Sequence, residues 1–408
     1  MSSSMLYLDT ARLGLMSPTA QRAHREFARF AGEEGCPLYF EEFLRRGFQT
    51  RPDFFAAHYP GLCCWLGIAE LKQELRRLTG SPFDLPVLLA NRSAQLMKLA
   101  ARLLFLPCEN VLVTDLGWPA YRAILEAERK RTPRQVTELA VREAILRNGA
   151  DEDAIVSLFC SEFRRSECDG LFLTAVSHEG VRLPVERIVT ELEAKAEVRF
   201  VVIDGAQAFC HTATDLRHGA FDLYVAGSHK WLEAYHPLGL AFYGKMRSRQ
   251  LIETIREKML RCGDLDDPLL RFTEQLESEH LDGCTETVNI ASLLSCAGAV
   301  QDANKRGRAL DEAFQIQLNN AHSVAEAADG LKWQPAQPTE PFQSGILILE
   351  SRRYTIRNAP ASVVREAFQR EGLAVTSYDG GALRLSMPRN PLAAAELNRI
   401  RMALQHVS

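Results

Sequence analysis

The sequence predicts an α/β fold, a large and mainly parallel sheet wrapped by helices, followed by a smaller α+β unit. Three observations carry this. Five short apolar runs are continuous rather than alternating, which marks strands covered on both faces. Helical patterns with apolar residues every three to four positions separate them. The last hundred residues change rhythm, with strand patterns close together and few helices between them.

In chain order the five runs are NVLVT at Asn110–Thr114, GLFLTAVS at Gly170–Ser177, VRFVVID at Val198–Asp204, DLYVAGS at Asp222–Ser228 and LGLAFYG at Leu238–Gly244. Between the second and third, Leu183–Glu197 places Val185, Ile188, Val189 and Leu192 on one helical face. Ligands of such sheets bind at the carboxyl ends of the strands, where Asp204 and Ser228 fall. The C-terminal unit reads as a strand at Ser344–Ser351, a helix near Pro360–Gly372, strands at Leu373–Asp379 and Ala382–Pro388, and a final helix. The division expected is a large domain over residues 16–295, with residues 1–15 and 296–408 forming the small one. Gly35–Pro60 is aromatic-rich and reads as irregular, a lid or a dimer contact.

Composition excludes several classes. A net charge of −4 over 408 residues gives no electrostatic case for nucleic acid or an anionic membrane. No run of about 18 apolar residues marks a membrane span. The start, MSSSMLYLDTARLG, lacks the basic and apolar stretches of a signal peptide, so a cytoplasmic protein is expected. The 10 cysteines are scattered, without a CxxC pair or zinc-site spacing, and read as reduced thiols with no metal. Neither a dinucleotide fingerprint nor a phosphate-binding P-loop is present, which argues against a nucleotide-binding protein.

One stretch carries chemistry. DGAQAFCH begins at Asp204 and FDLYVAGSHKWL ends just beyond Lys230. A desolvated lysine at a strand end has a lowered pKa and can form a Schiff base. A carboxylate beside a heteroaromatic nitrogen keeps that nitrogen protonated. Together they describe pyridoxal phosphate chemistry, an aldehyde held by lysine and a pyridinium held by aspartate.

The same string resembles the class V aminotransferase group of fold-type I pyridoxal phosphate enzymes, which includes cysteine desulfurases and epimerase-like members. The pattern is D-x-A-Q, a later Asp, a small polar residue before His-Lys, and a Gly-containing strand. Weaker matches run through LYLDTARLG, ANRSAQLMKLAARLL, SHEGVRLPVERI, GCTETVNIASLLSCAGAV and LRLSMPRNP, nearly the whole chain. The resemblance implies a seven-stranded-type large-domain sheet, a homodimer with active sites at the subunit interface, and a small-molecule amino-acid substrate.

It also implies roles. Lys230 would bind the cofactor and shuttle the Cα proton, Asp204 would pair with the ring nitrogen, and Gln207 would reach the ring's 3-oxygen. Ser228 and His229 would contact the phosphate, with Ser93 and the amides of Ala94 and Gln95 at a helix start. Trp118 would stack on the ring. Arg384 would grip the substrate carboxylate, and Thr285 would reach a neighbouring subunit's phosphate.

Departures from the pattern narrow the activity. Desulfurases need a mobile cysteine shortly before the C-terminal arginine, and REGLAVTSYDGGALRLS has none. Ser177 stands where asparagine is usual, so the bond to a cofactor oxygen is shortened or lost. Trp118 replaces a histidine found at the stacking place in desulfurase-like members, leaving proton transfer to Lys230, His178 or His211. Arg12 and Arg92 replace small residues and either select an acidic or extended substrate or face solvent. The activity expected is amino transfer, with a Cα/Cβ lyase or an epimerase as alternatives.

Overall fold

The computed structural model describes residues 5–34, 41–217, 219–277, 288–307 and 309–407. Strand β1 (Leu6–Tyr7) begins the described chain and returns below. Seven strands then build the large sheet: β2 (Val87–Ala90), β3 (Asn110–Thr114), β4 (Gln135–Leu139), β5 (Gly170–Thr174), β6 (Phe200–Asp204), β7 (Leu223–Gly227) and β8 (Gly239–Tyr243). Their order is β2-β8-β7-β6-β5-β3-β4. Strands β3 to β7 pair in parallel, while β8 is antiparallel to both β7 and β2. All five expected runs are strands, and all five are buried along their length.

The helix expected after β5 is Val185–Glu193, and it buries Ile188, Val189 and Leu192 as its spacing requires. The helix Ser93–Phe105 lies against the opposite face. Leu96, Met97, Leu99, Ala100, Leu103 and Leu104 are buried along it, in one apolar cluster with Val202, Leu223 and Val225. Its start is brought against the sheet by Gly239, where a Cβ would stand 2.6 Å from the Ser93 nitrogen. A side chain there would push the helix N-terminus off the strand ends.

The smaller sheet comprises β9 (Trp333–Ala336), β10 (Ile346–Ser351), β12 (Thr376–Tyr378) and β13 (Ala382–Ser386), in the order β12-β13-β10-β9. Between β10 and β12 lie the helix Ala361–Arg370 and β11 (Leu373–Ala374). Strand β1 pairs with β11 in parallel, which ties the N-terminal segment to the C-terminal unit. The final helix, Ala394–His406, closes this core through Ile400, Ala403 and Leu404.

The helix Ala291–Arg306 packs into the large core, with Cys296, Ala299, Val300 and Ala303 buried there. We propose that the domain boundary therefore lies at Gly307, some way beyond residue 295. The aromatic segment is not irregular where it is described. Helices at Glu41–Arg46 and Pro52–His58 and 3-10 turns at Gly47–Thr50 and Pro60–Cys64 carry its rings inward. Phe43 stacks on Phe55 at 5.0 Å and Phe30 meets Tyr59 edge-on at 5.0 Å, so these rings are core. Residues 35–40 lie outside the described residues.

Candidate active site

Parallel strands β6 and β7 are neighbours, with Asp204 opposite Val225, so their carboxyl ends open into the same space. Asp204 is the last residue of β6, and Lys230 follows the end of β7 by three positions. Both line a cavity of about 620 Å3. This explains why the chain spaces a carboxylate and a lysine across two apolar strands: the parallel topology brings them to one edge. The cavity is closed from the other side by residues of the small unit, including Thr376, Tyr378 and Arg384.

Lys230 has no hydrogen-bond or ion-pair partner among the described residues. Burial penalises its ammonium and Arg384 repels it, while Asp204 acts in the opposite direction; the balance lowers its pKa to about 8. The N-terminal segment passes over its backbone. Gly14 N–H donates to the His229 carbonyl at 2.7 Å, and a Cβ at Gly14 would stand 1.9 Å from the Lys230 carbonyl oxygen. Asp204 is raised to about 6, chiefly by burial, although its Oδ1 accepts the Ala206 N–H at 3.0 Å and Lys230 attracts it.

Lys72 is also buried, but it donates to Glu277 at 2.5 Å and Glu274 at 3.1 Å. Lys230 is the buried lysine whose amine is held open to a cavity.

His229 lines the cavity with a buried, unpartnered Nδ1, and burial together with Lys230 lowers its pKa to about 4. It is therefore neutral near pH 7. Ser93 and Ala94 line the cavity at the start of their helix, where backbone N–H groups have no intrahelical acceptor. Ser93 Oγ lies 2.7 Å from the Tyr121 hydroxyl. Trp118 precedes the helix Pro119–Arg129 and lines the same cavity, its ring 5.1 Å edge-on from His178. Gln207 also reaches the cavity. Its Nε2 donates to the Ala11 carbonyl at 2.8 Å, which leaves the second amide hydrogen free, and its Oε1 accepts from Trp231.

Arg384 is buried on β13. Its Nη2 donates to Thr376 Oγ1 at 3.3 Å and stands 3.6 Å from Asp9, while its Nε is buried without a partner. A guanidinium held this loosely by its counterion presents a fork to an incoming carboxylate. Arg12 and Arg92 line the cavity as well.

Three expected contacts do not reach the cavity. Ser177 Oγ accepts the N–H groups of Glu179 and Val181 at 3.2 and 3.1 Å, so it fixes a tight turn. Ser228 is buried and donates to the His236 carbonyl at 3.2 Å. The Gln95 amide donates to the Arg92 carbonyl at 3.1 Å and its side chain to Asp266. In each case the polar group already serves the local backbone. Thr285 lies outside the described residues.

His211 is also set aside. Its Nδ1 lies 2.8 Å from the Gln207 carbonyl, its Nε2 accepts the Gly345 N–H at 3.1 Å, and its ring stacks on Trp231 at 3.7 Å. Burial lowers its pKa to about 3, so the ring is uncharged near neutrality, and both of its nitrogens are already taken up by backbone groups. His178 lines the cavity with an unpartnered Nδ1.

Sequence reasoning missed Thr174, Tyr121, Arg365 and Tyr378, all of which line the cavity. Thr174 ends β5 opposite Asp204, and the strand-end rule could have found it. Arg365 lies on the helix Ala361–Arg370, and no local pattern says which turn of that helix meets the cavity.

Pyridoxal phosphate fits these walls. Polar groups along them are those it would use: the unpartnered Lys230 amine for its aldehyde carbon, the Asp204 carboxylate for its ring nitrogen, and the Ser93–Ala94 amides with the unpartnered His229 Nδ1 for its phosphate. A second cavity of about 610 Å3 is lined in part by Glu152 and Arg187, which pair with each other at 2.9 Å, and it contains no lysine among the described residues.

The chain matches the family model "Aminotransferase class-V" over residues 68–321. No curated protein matches the sequence significantly. Among solved structures, the cysteine desulfurase CsdA of Escherichia coli aligns with a TM-score of 0.69 at 14% identity, covering 99% of this chain and 94% of that one. The ureidoglycine-glyoxylate aminotransferase of Bacillus subtilis aligns at 0.67 and 12% identity, over 100% and 93%. A C-DES variant with glycine covalently linked to its pyridoxal phosphate aligns at 0.68 and 14% identity, over 99% and 97%. These likenesses show the shared fold, and the family match covers well over half the chain. The chain belongs to the class-V aminotransferase family and is a pyridoxal phosphate-dependent enzyme.

Proposed function

We propose that the protein is an aminotransferase acting on an amino acid or amino-acid conjugate. One observation carries the reading: the unpaired Lys230 amine shares a cavity with Asp204, and among the described residues no thiol lines that cavity. Amino transfer asks for one base that takes the Cα proton and returns it one atom away. Lys230, neutral in part near pH 7, suits that role. A persulfide route needs a cysteine, and the segment before Arg384 has none.

When bound, the cofactor supplies an electron-withdrawing ring that acidifies the substrate Cα–H. Asp204 would hold its ring nitrogen, Gln207 its 3-oxygen, and His229 with Ser93 and Ala94 its phosphate. Trp118 would cover its face and exclude water. Arg384 would fix the substrate carboxylate so that the Cα–H points at Lys230 Nζ. That alignment decides which bond breaks, and displacement by about 1 Å is enough to cost catalysis.

His178 favours a second reading. Its unpartnered Nδ1 belongs to an imidazole whose pKa is lowered, chiefly by burial, so it is available as a second base. Two bases permit epimerisation or elimination. Reaction with excess amino acid and no keto-acid acceptor discriminates. A keto acid formed one-for-one with aminated cofactor supports transfer. Repeated release of keto acid and ammonia means elimination, and solvent deuterium at an inverted Cα means epimerisation.

A homodimer belongs to the same proposal, and what supports it is the family resemblance, which implies sites at a subunit interface. Sedimentation equilibrium checks it, and an active, cofactor-bearing monomer would contradict it. Among the described residues no helix is long and apolar enough to cross a membrane. The compartment proposed is the cytoplasm.

A further inference from the structure

The cofactor and one substrate carboxylate leave part of the cavity's charge unanswered. Five cations, Arg12, Arg92, Lys230, Arg365 and Arg384, line it among the described residues; Asp204 is the carboxylate in its wall, and Asp9 stands 3.6 Å behind Arg384, so cations still outnumber carboxylates. Arg92 immediately precedes the helix start that would hold the cofactor phosphate. That phosphate carries about two negative charges near neutral pH and accounts for Arg92. Arg384 accounts for the substrate's α-carboxylate. Arg12 and Arg365 remain.

Neither forms an ion pair or a side-chain hydrogen bond with a carboxylate among the described residues, and the acidic group in the field of Arg12 is Asp9, which already stands beside Arg384. Elsewhere on the surface arginines are commonly paired, as in Arg142 with Glu179 at 2.7 Å and Arg249 with Glu253 at 2.9 Å. Arg12 follows β1, and its charge is felt by Asp9 and Tyr378, the two groups beside Arg384. Arg365 comes from the helix leading into β11. Both thus belong to the small-unit side of the cavity, with Arg384, rather than to the sheet ends that would hold the cofactor.

Building on the proposed function, we propose that the substrate is an amino acid whose side chain ends in a second anionic group, held by Arg12 and Arg365 while Arg384 holds the α-carboxylate. Paired guanidinium–carboxylate contacts at both ends would fix the length of the substrate as well as its charge.

The test is calorimetric titration of the cofactor-loaded enzyme with glutarate, succinate and butyrate. A dicarboxylate should bind about tenfold or more tightly than butyrate, with the difference shrinking as salt rises. In Arg12→Gln and Arg365→Gln the dicarboxylate should fall to the level of butyrate, with the visible cofactor band retained. Arg384→Gln should weaken all three. Equal affinity of the wild type for dicarboxylates and butyrate overturns the proposal. So does a preference that survives in the Arg12→Gln, Arg365→Gln double variant, including the case where only its oligomeric state changes. A protein that never develops the visible band defeats the cofactor reading instead, and a banded protein without the preference defeats this proposal alone.

Discussion

Two walls of the large domain bury a lysine, and they use it in opposite ways. At the first, Lys72 meets two carboxylates and its charge is answered within the protein. At the second, Lys230 faces a cavity with only the field of Asp204 in its favour, and its pKa falls to about 8. The sequence surroundings differ to match. Lys72 is part of the amphipathic helix Ile68–Thr79, whereas Lys230 follows a buried strand end beneath a glycine-backed loop. A buried amine with partners holds elements together, and a buried amine left without them is poised to react.

The largest expected effect comes from breaking the second wall. Lys230→Ala should lose the borohydride-sensitive visible band and reduce turnover by about 10²–10⁴-fold, the span of a positioned acid–base group, without loss of thermal stability. Asp204→Asn keeps the shape but removes the charge. Turnover should fall by about 10²–10³-fold, as for other preorganised electrostatic groups, with the cofactor still bound.

Breaking the first wall should do the converse. Lys72→Ala should keep the band and turnover but destabilise the fold by about 1–3 kcal/mol in denaturant unfolding. The loss is limited because Glu274 and Glu277 are 23% and 34% exposed, so water can take over their solvation.

The smallest effect is one of pH. The neutral amine is the nucleophile, so cofactor loading of the apo-protein should rise with pH and level off above about 8. At one unit below that midpoint loading should be about tenfold slower. Asp204 raises the Lys230 pKa, so Asp204→Asn should move the midpoint to lower pH. Stopped-flow loading at several pH values measures both, and a midpoint near the ordinary lysine value would remove the proposed difference between the walls.

Most of this was legible in the sequence where burial on both sheet faces wrote continuous apolar runs. Strand β4, QVTEL, was not, because it is a partly exposed edge strand carrying Gln135 and Glu138. Strand β2 is only four residues long, too short to stand out from neighbouring helix patterns. At the site, strand-end residues such as Asp204 and Lys230 were readable because parallel topology fixes where they go. Ser177 and Ser228 do not line the cavity, because a short polar side chain can serve a ligand or its own backbone and only the fold decides, and the Gln95 amide is taken up by the Arg92 carbonyl. Arg365 escaped because its meeting with Arg384's cavity is a tertiary event between elements.

In the proposed site one amine, Lys230, carries the cofactor. Reducing the purified enzyme with borohydride, digesting it and locating the pyridoxyl group by mass spectrometry tests this most directly. The label is expected on the peptide containing Lys230 and on no other; a label at Lys72 or elsewhere, or a cofactor that reduction leaves unattached, would refute the assignment.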